Sequence, residues 1–222
     1  MLTQIINGRI LTPQGWLKDG SVIIRDGKIL EVTNCDLAII GADIIDAKGM
    51  YVTPGFVDMH VHGGGGRDFQ EGTPEAFNVA VNAHIKYGTT SIFPTLSSST
   101  VPMIEAAVET CDELMKDPQS PILGLHLEGH YLNPQKAGAQ RPEWIKNPDP
   151  NEYIPIVENS PCLARWDAAP ELAGALQFGK YCAEKGILPS IAHTAASYAD
   201  VKAAFEVGFT HVTHFYNAMP GF

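Results

Sequence analysis

Residues 53–64 read TPGFVDMHVHGG, and the parsing of the whole chain starts from them. They belong to a short buried strand that runs into a turn and ends on His60 and His62. Side chains alternate along a strand, so the two imidazoles share a face and can reach one point. Four glycines follow at 63–66 and let the backbone turn sharply away. No Gly-Lys-Ser or Gly-Lys-Thr comes after them, so the run is a turn and not a phosphate loop. Three later segments repeat the pattern of buried strand, turn and ligand. LGLHLEG (123–129) ends on Glu128, PSIAHT (189–194) on His193, and HVTHFYNAM (211–219) carries His214. Five good ligands on four strands are hard to explain as packing. They indicate a metal hydrolase on a βα barrel, with its site at the carboxyl ends of the strands.

The rest of the chain fits around these segments. From residue 51 onward, apolar strands alternate with helical patterns, which implies parallel βαβ units and an α/β fold. Strands are expected near 51–61, 90–96, 122–128, 162–168, 187–193 and 211–216. PEAFNVAVNAHIKYG (74–88) has Phe77, Val81 and Ile85 on one helical face, VPMIEAAVETCDELMK (101–116) repeats the idea, and ADVKAAFEVG (199–208) closes at Gly208, a helix C-cap. The Pro- and Asn-rich stretch 129–160 reads as a long functional loop with one short helix. Residues 1–50 differ in texture. They alternate apolar and polar residues, punctuated by Asn7-Gly8, Asp19-Gly20 and Asp26-Gly27, pairs suited to two-residue hairpin turns. The expected organisation is an antiparallel β lobe over 1–50, part of a β-sandwich, and a barrel domain over 51–222. A closed eight-stranded barrel takes about 250 residues. Six strands cannot close one, so the expectation is an incomplete TIM-like (β/α) barrel, truncated after the sixth of eight strands.

Composition narrows the partners. The 222 residues are 45% hydrophobic and 18% charged, as in ordinary globular enzymes, and the formal net charge is -10. That balance argues against nucleic acid or an anionic membrane surface, which want clustered Lys and Arg, but not against a small phosphorylated substrate. No apolar run is long enough to span a membrane, and MLTQIINGRI lacks the features of a signal peptide. Cys35, Cys111, Cys162 and Cys182 form no CxxC pair, so a reducing cytoplasm is expected.

A buried carboxylate such as Glu128 needs a cation, a metal or several donors nearby; an ion pair capping the strand is the plainer alternative. His126 points to the same side and is either a partner of a ligand or a packed histidine. His211 packs or faces outward, and His84, on a helix, is expected to be solvated. Imidazole and carboxylate ligands suit Zn²⁺ first, with Fe, Mn or Co also compatible, as one ion or two. Such an ion lowers the pKa of bound water and polarises the carbonyl under attack, while a general acid/base hands a proton to the leaving amine.

TPGFVDMHVHG resembles the first barrel strand of the amidohydrolase superfamily. HLEGHYLNPQKAGAQ, IAHT and HFYNAM together resemble the N-acetylglucosamine-6-phosphate deacetylases, over nearly the whole chain. The resemblance implies that Glu128, His193 and His214 hold the principal metal, and that His60 and His62 hold a second in members keeping the HxH pair. It implies that the backbone around Ala139, with Asn217 and Ala218, contacts the sugar phosphate, and that Gln140 contacts the sugar where some relatives have His. Gln keeps a donor and an acceptor but carries no charge. His130 stands where the family usually has Pro, which implies a less rigid loop or an extra ligand. The family's catalytic Asp is expected beyond Phe222, together with an Arg and a His that help bind phosphate. The implied reaction yields glucosamine 6-phosphate and acetate, in a homodimeric parent protein, with this piece weakly active or inactive. Two alternatives stay open: another amidohydrolase, dihydroorotase-like or deaminase-like, and a non-catalytic metal- or phosphosugar-binding half of a split assembly.

Overall fold

The structure is a computed structural model that describes residues 1–35 and 39–221. Residues 36–38, inside the expected β lobe, and Phe222 lie outside the described residues. The chain divides into two compact units, Met1–Gly55 and Phe56–Phe222.

In the first unit, β1 (Leu2–Thr12), β2 (Gly15–Arg25) and β3 (Lys28–Thr33) form an antiparallel meander, and β4 (Asp43–Asp46) and β5 (Tyr51–Val52) add to β1 in parallel. Asp26 and Gly27, at φ 50 and 77, make the β2–β3 hairpin as their sequence predicts. The other two Asx-Gly pairs do not. Gly8 faces Gly20 across the β1–β2 ladder, where the register is irregular, so Asn7 and Asp19 with their positive φ belong to facing bulges. Close approach explains the glycines: a Cβ on Gly20 would lie 2.6 Å from the Thr33 carbonyl oxygen. The β1–β2 turn falls instead at residues 13–14, before Gly15.

The second unit is a six-stranded, all-parallel sheet. Its strands are β6 (Phe56–Val61), β9 (Thr89–Leu96), β10 (Leu125–Tyr131), β11 (Leu163–Ala168), β12 (Leu188–Ile191) and β13 (His211–Val212), adjacent in sequence order. A two-strand ribbon of β7 (Gly63–Gly64) and β8 (Arg67–Asp68) follows β6, turning at Gly65 and Gly66 with φ 61 and 83. The single strand expected over 51–61 is thus two: 51–52 joins the small sheet and 56–61 starts the parallel one. Helices α1 (Pro74–Ile85), α2 (Val101–Met115), α3 (Pro150–Glu158), α4 (Ala175–Glu184) and α5 (Tyr198–Glu206) fill the connections, α3 being the helix within the 129–160 loop.

Local chemistry explains where these helices begin. Thr73 caps α1 through its hydroxyl, which accepts from the Ala76 amide, and Pro74 takes the first turn. Ser197 and Asp200 form a reciprocal capping box on α5. Phe77, Ile104 and Phe178 on the helices, with Phe209 in the turn after α5, share one core cluster with Leu125, Leu127 and Trp166 of the sheet. Burying each such side chain contributes about 1.5–3 kcal/mol. The buried face of α1 is Phe77, Ala80 and Val81, while Ile85, in the last turn, is exposed.

The sheet is strongly curled. β6 and β13 lie at opposite ends of the strand order, yet the rings of His60 and His214 are 5.9 Å apart. Arg165 on β11 donates across the inside to the Met59 carbonyl at 2.8 Å. This is an incomplete TIM-like barrel with six strands and a small β lobe preceding it.

Candidate metal centre

Strand period and strand ends position the site. On β10, His126 and Glu128 face inward, and Leu125 and Leu127 pack into the core. His60 on β6 and His62 just after it come in from one side. His193 and His214 follow β12 and β13, and both sit in the left-handed region, at φ 43 and 35. Non-glycine residues seldom adopt that region, and such strain concentrates at functional positions.

The five side chains meet on one carboxylate. Glu128 Oε1 lies 2.8 Å from His214 Nε2 and 3.0 Å from His193 Nε2. Oε2 lies 2.9 Å from His62 Nε2 and 3.7 Å from His60 Nε2. Two groups of possible metal ligands share Glu128: His60 and His62 with it, and His193 and His214 with it.

The outer ring nitrogens decide what this means. His62 Nδ1 donates to the Thr95 carbonyl at 3.1 Å, His193 Nδ1 to the Lys136 carbonyl at 2.7 Å, and His214 Nδ1 to the Asn217 carbonyl at 3.1 Å. A carbonyl can only accept, so Nδ1 holds the proton in all three rings. In the neutral rings the Nε2 lone pairs then face carboxylate oxygens, acceptor against acceptor. A positive charge must lie between them. A proton supplies it for some rings: the bond to Glu128 raises the pKa of His214, and for His62 burial lowers it but the bond and charge of Glu128, with the Thr95 carbonyl, together raise it. A divalent ion would satisfy each group at once, and the fixed tautomers are those that metal ligation requires. The residues fit a metal.

Charge follows from this packing. Burial opposes ionisation of Glu128, but the imidazoles of His193, His214 and His62, which donate from Nε2 when protonated, hold its carboxyl well below the usual range. Burial pushes His60 down to about 4, against the attraction of Glu128.

The pattern of the amidohydrolase family matches residues 51–222, the segment holding all five side chains. The chain belongs to the amidohydrolase family. An N-acetylglucosamine-6-phosphate deacetylase from Haemophilus influenzae is 34% identical over 97% of this chain and 56% of that protein. An N-acetylgalactosamine-6-phosphate deacetylase from Escherichia coli is 30% identical over 99% of this chain and 58% of that protein. The crystal structure of N-acetylglucosamine-6-phosphate deacetylase from Pasteurella multocida superposes with a TM-score of 0.92 at 28% identity, over 98% of this chain and 57% of that one. The chain thus spans somewhat over half the length of the relatives it matches.

The other residues singled out in this amidohydrolase chain fall as follows. Ala139 is exposed on the loop after β10, and Asn217 and Ala218 lie on the loop after β13. Lys136 joins the two loops, its Nζ donating to the Met219 carbonyl at 3.2 Å. Gln140 is buried, donating from Nε2 to Glu128 Oε2 at 3.0 Å and accepting from the Ser98 amide at 2.6 Å. His130 is no extra ligand; its buried ring turns toward α3, with Nε2 2.7 Å from Glu152 Oε1. His126 lies beneath the site, accepting from Arg165 Nη2 at 2.6 Å with Asp167 Oδ1 2.9 Å from its Nε2. Its ring centroid is 5.2 Å from that of His60. His84, expected to be solvated, is half-buried, and its Nε2 donates to the Gly63 carbonyl at 2.9 Å. His211 turns inward, with Nδ1 2.8 Å from the buried Ser190 hydroxyl.

Residues that sequence reasoning passed over include Thr95, Ser97 and Ser98, which hold His62 and Gln140. The hydroxyl-rich run TLSSST (95–100) at a strand end was the available signal. Glu171 was missed as well, an acid three residues after the end of β11.

Proposed function

We propose that this chain is the metal-binding part of a deacetylase that converts N-acetylglucosamine 6-phosphate to glucosamine 6-phosphate and acetate. One observation carries the reading: two three-residue donor groups share Glu128 at the carboxyl end of a parallel sheet. The motifs around it resemble those of deacetylases of phosphorylated amino sugars, and relatives so named match nearly all of the chain.

In this reading Glu128, His193 and His214 hold the principal divalent ion, Zn²⁺ by the chemistry of the donors, and His60 and His62 with Glu128 hold a second. When bound, the ion supplies Lewis acidity that polarises an amide carbonyl and helps ionise water near neutral pH. The carbonyls of Thr95, Lys136 and Asn217 keep the Nε2 lone pairs aimed inward. The backbone around Ala139, with Asn217 and Ala218, receives the sugar phosphate. Gln140, with both amide atoms engaged, orients Glu128 and meets the sugar from there. The general acid/base that the resemblance assigns beyond Phe222 is worth about 10²–10⁴-fold, and the 222 residues alone are expected to be slower by that factor. The parent protein is read as a cytoplasmic homodimer. Among the described residues no helix is long and apolar enough to cross a membrane.

The galacto-configured sugar is the second reading, since the Escherichia coli relative carries that name. The test measures acetate release from N-acetylglucosamine 6-phosphate and its galacto epimer, ring opening of a cyclic ureide and ammonia release from an aminopurine, each with the full-length parent and with residues 1–222. The expected result is turnover of an acetamido sugar phosphate, much faster in the parent. Turnover of the ureide or the purine alone would replace this reading, and equal rates for the two chains would refute the role given to the downstream acid.

A further inference from the structure

Glu171 stands in the turn after β11, and the loops after β10 and β12 both donate hydrogen bonds to its carboxylate. Oε1 accepts from Asn133 Nδ2 at 2.8 Å, on the loop after β10, and from the Ala195 amide at 2.6 Å, on the loop after β12. Oε2 accepts from the Thr194 hydroxyl. All three donors are neutral, so these bonds hold the carboxylate without pairing its charge. Two of the donors belong to the residues directly after His193, whose backbone is left-handed at φ 43. The third sits on Asn133, whose own amide donates to the His193 carbonyl at 2.9 Å. Thr194 also passes the restraint onward, since its amide donates to the Ala218 carbonyl at 3.1 Å.

A histidine in this backbone region needs surroundings that over-determine it. Released from them, His193 would return toward ordinary φ values. Its ring would then lose the Lys136 carbonyl, which sets the tautomer and aims Nε2 at Glu128. We propose that Glu171 is the positioning residue of this corner, holding the His193 backbone so that Nε2 faces the ion. The proposal rests on the metal-site reading above and extends it to a residue outside the ligand set.

The geometry also says which substitutions matter. Glu171→Leu removes all three acceptors. Glu171→Gln keeps an oxygen for Ala195 and Asn133 and places an amide NH2 opposite Thr194, whose hydroxyl can reverse to accept. The experiment is Co²⁺ titration of residues 1–222 by visible absorption, beside nitrogen NMR of the His193 ring without metal and the metal-free unfolding midpoint. The expected result is a 10–100-fold loss of Co²⁺ affinity in Glu171→Leu, the range typical when a partner of a metal ligand is removed. The His193 ring should become a mixture of tautomers in that variant, while Glu171→Gln stays near the wild type in both readouts. A lowered midpoint in Glu171→Leu with unchanged Co²⁺ affinity and unchanged tautomer would make Glu171 merely structural and overturn the proposal. If Glu171→Leu does not fold, Thr194→Val, which removes one of the three bonds, must move both readouts in the same direction; no movement overturns it equally. If the wild type itself takes up no Co²⁺, the metal reading fails, and the His193 tautomer alone then decides the role of Glu171.

Discussion

His193 Nε2 and His214 Nε2 lie 3.1 Å apart, and both face the same oxygen of Glu128. Each ring is fixed from behind by a carbonyl, so neither can turn its lone pair away. The contact is repulsive until a positive charge sits among the three groups. Its chemical consequences are therefore open to direct measurement.

Glu128→Gln keeps the size of the side chain but removes its charge and one acceptor. Metal bound per chain, measured by elemental analysis after dialysis, should fall sharply, with affinity down roughly 100-fold or more, beyond the usual effect of losing an outer partner. Undiminished metal content would show that Glu128 is not the shared ligand.

The two donor groups should be separable. His60→Ala and His62→Ala are expected to lower metal stoichiometry without abolishing it, whereas His193→Ala and His214→Ala should remove the tighter ion. Titration with a competing chelator distinguishes these outcomes. Four variants with the same stoichiometry would point to a single ion.

Gly179, in α4, tests the packing behind the site. A Cβ there would lie 1.9 Å from a ring carbon of the buried Phe209. Alanine normally stabilises a helix interior by about 0.5–1 kcal/mol over glycine. Here the sign should reverse, with Gly179→Ala costing about 1–3 kcal/mol in urea unfolding as the core is overpacked. Unchanged or raised stability would mean that Phe209 has room to move.

Glu152 gives the chain an acid-sensitive point. Burial would raise its pKa, but the bonds from His130, Lys146 and Tyr131 win and bring it down to about 2. A carboxylate depressed in the folded state stabilises fully above its unfolded value, near 4.5, and that contribution disappears as pH falls toward 2. Allowing for partial solvent exposure, the contribution is about 1–3 kcal/mol. Unfolding free energy should drop across that window, and Glu152→Gln should be less stable at pH 7 with a flatter acid limb. Parallel acid limbs for the two proteins would contradict this.

Much of the architecture could be read along the chain because it rests on local periods. The alternation that puts His60 and His62 on one face and the strand and helix rhythm after residue 51 depend only on near neighbours. Residue type was enough to mark Glu128, His193 and His214 as candidate ligands. Local pattern misled where one motif serves two geometries. Asn7-Gly8 and Asp19-Gly20 look like Asp26-Gly27, yet they lie face to face as bulges, because the partner strand decides between bulge and turn. His84 and His211 looked peripheral for the same reason, since their acceptor and neighbour, the Gly63 carbonyl and the Ser190 hydroxyl, arrive from other segments.

The meeting of four imidazoles on one carboxylate belongs to the tertiary structure alone. Glu128 and His214 are 86 positions apart, and they meet only because a parallel sheet curls until its outer strands converge. The left-handed backbone at His193 and His214, and the Glu171 carboxylate that ties three loops around the first of them, arise from contacts between strand ends. Composition and periodicity do not carry such contacts, because they depend on how far the sheet twists and on which loops then touch.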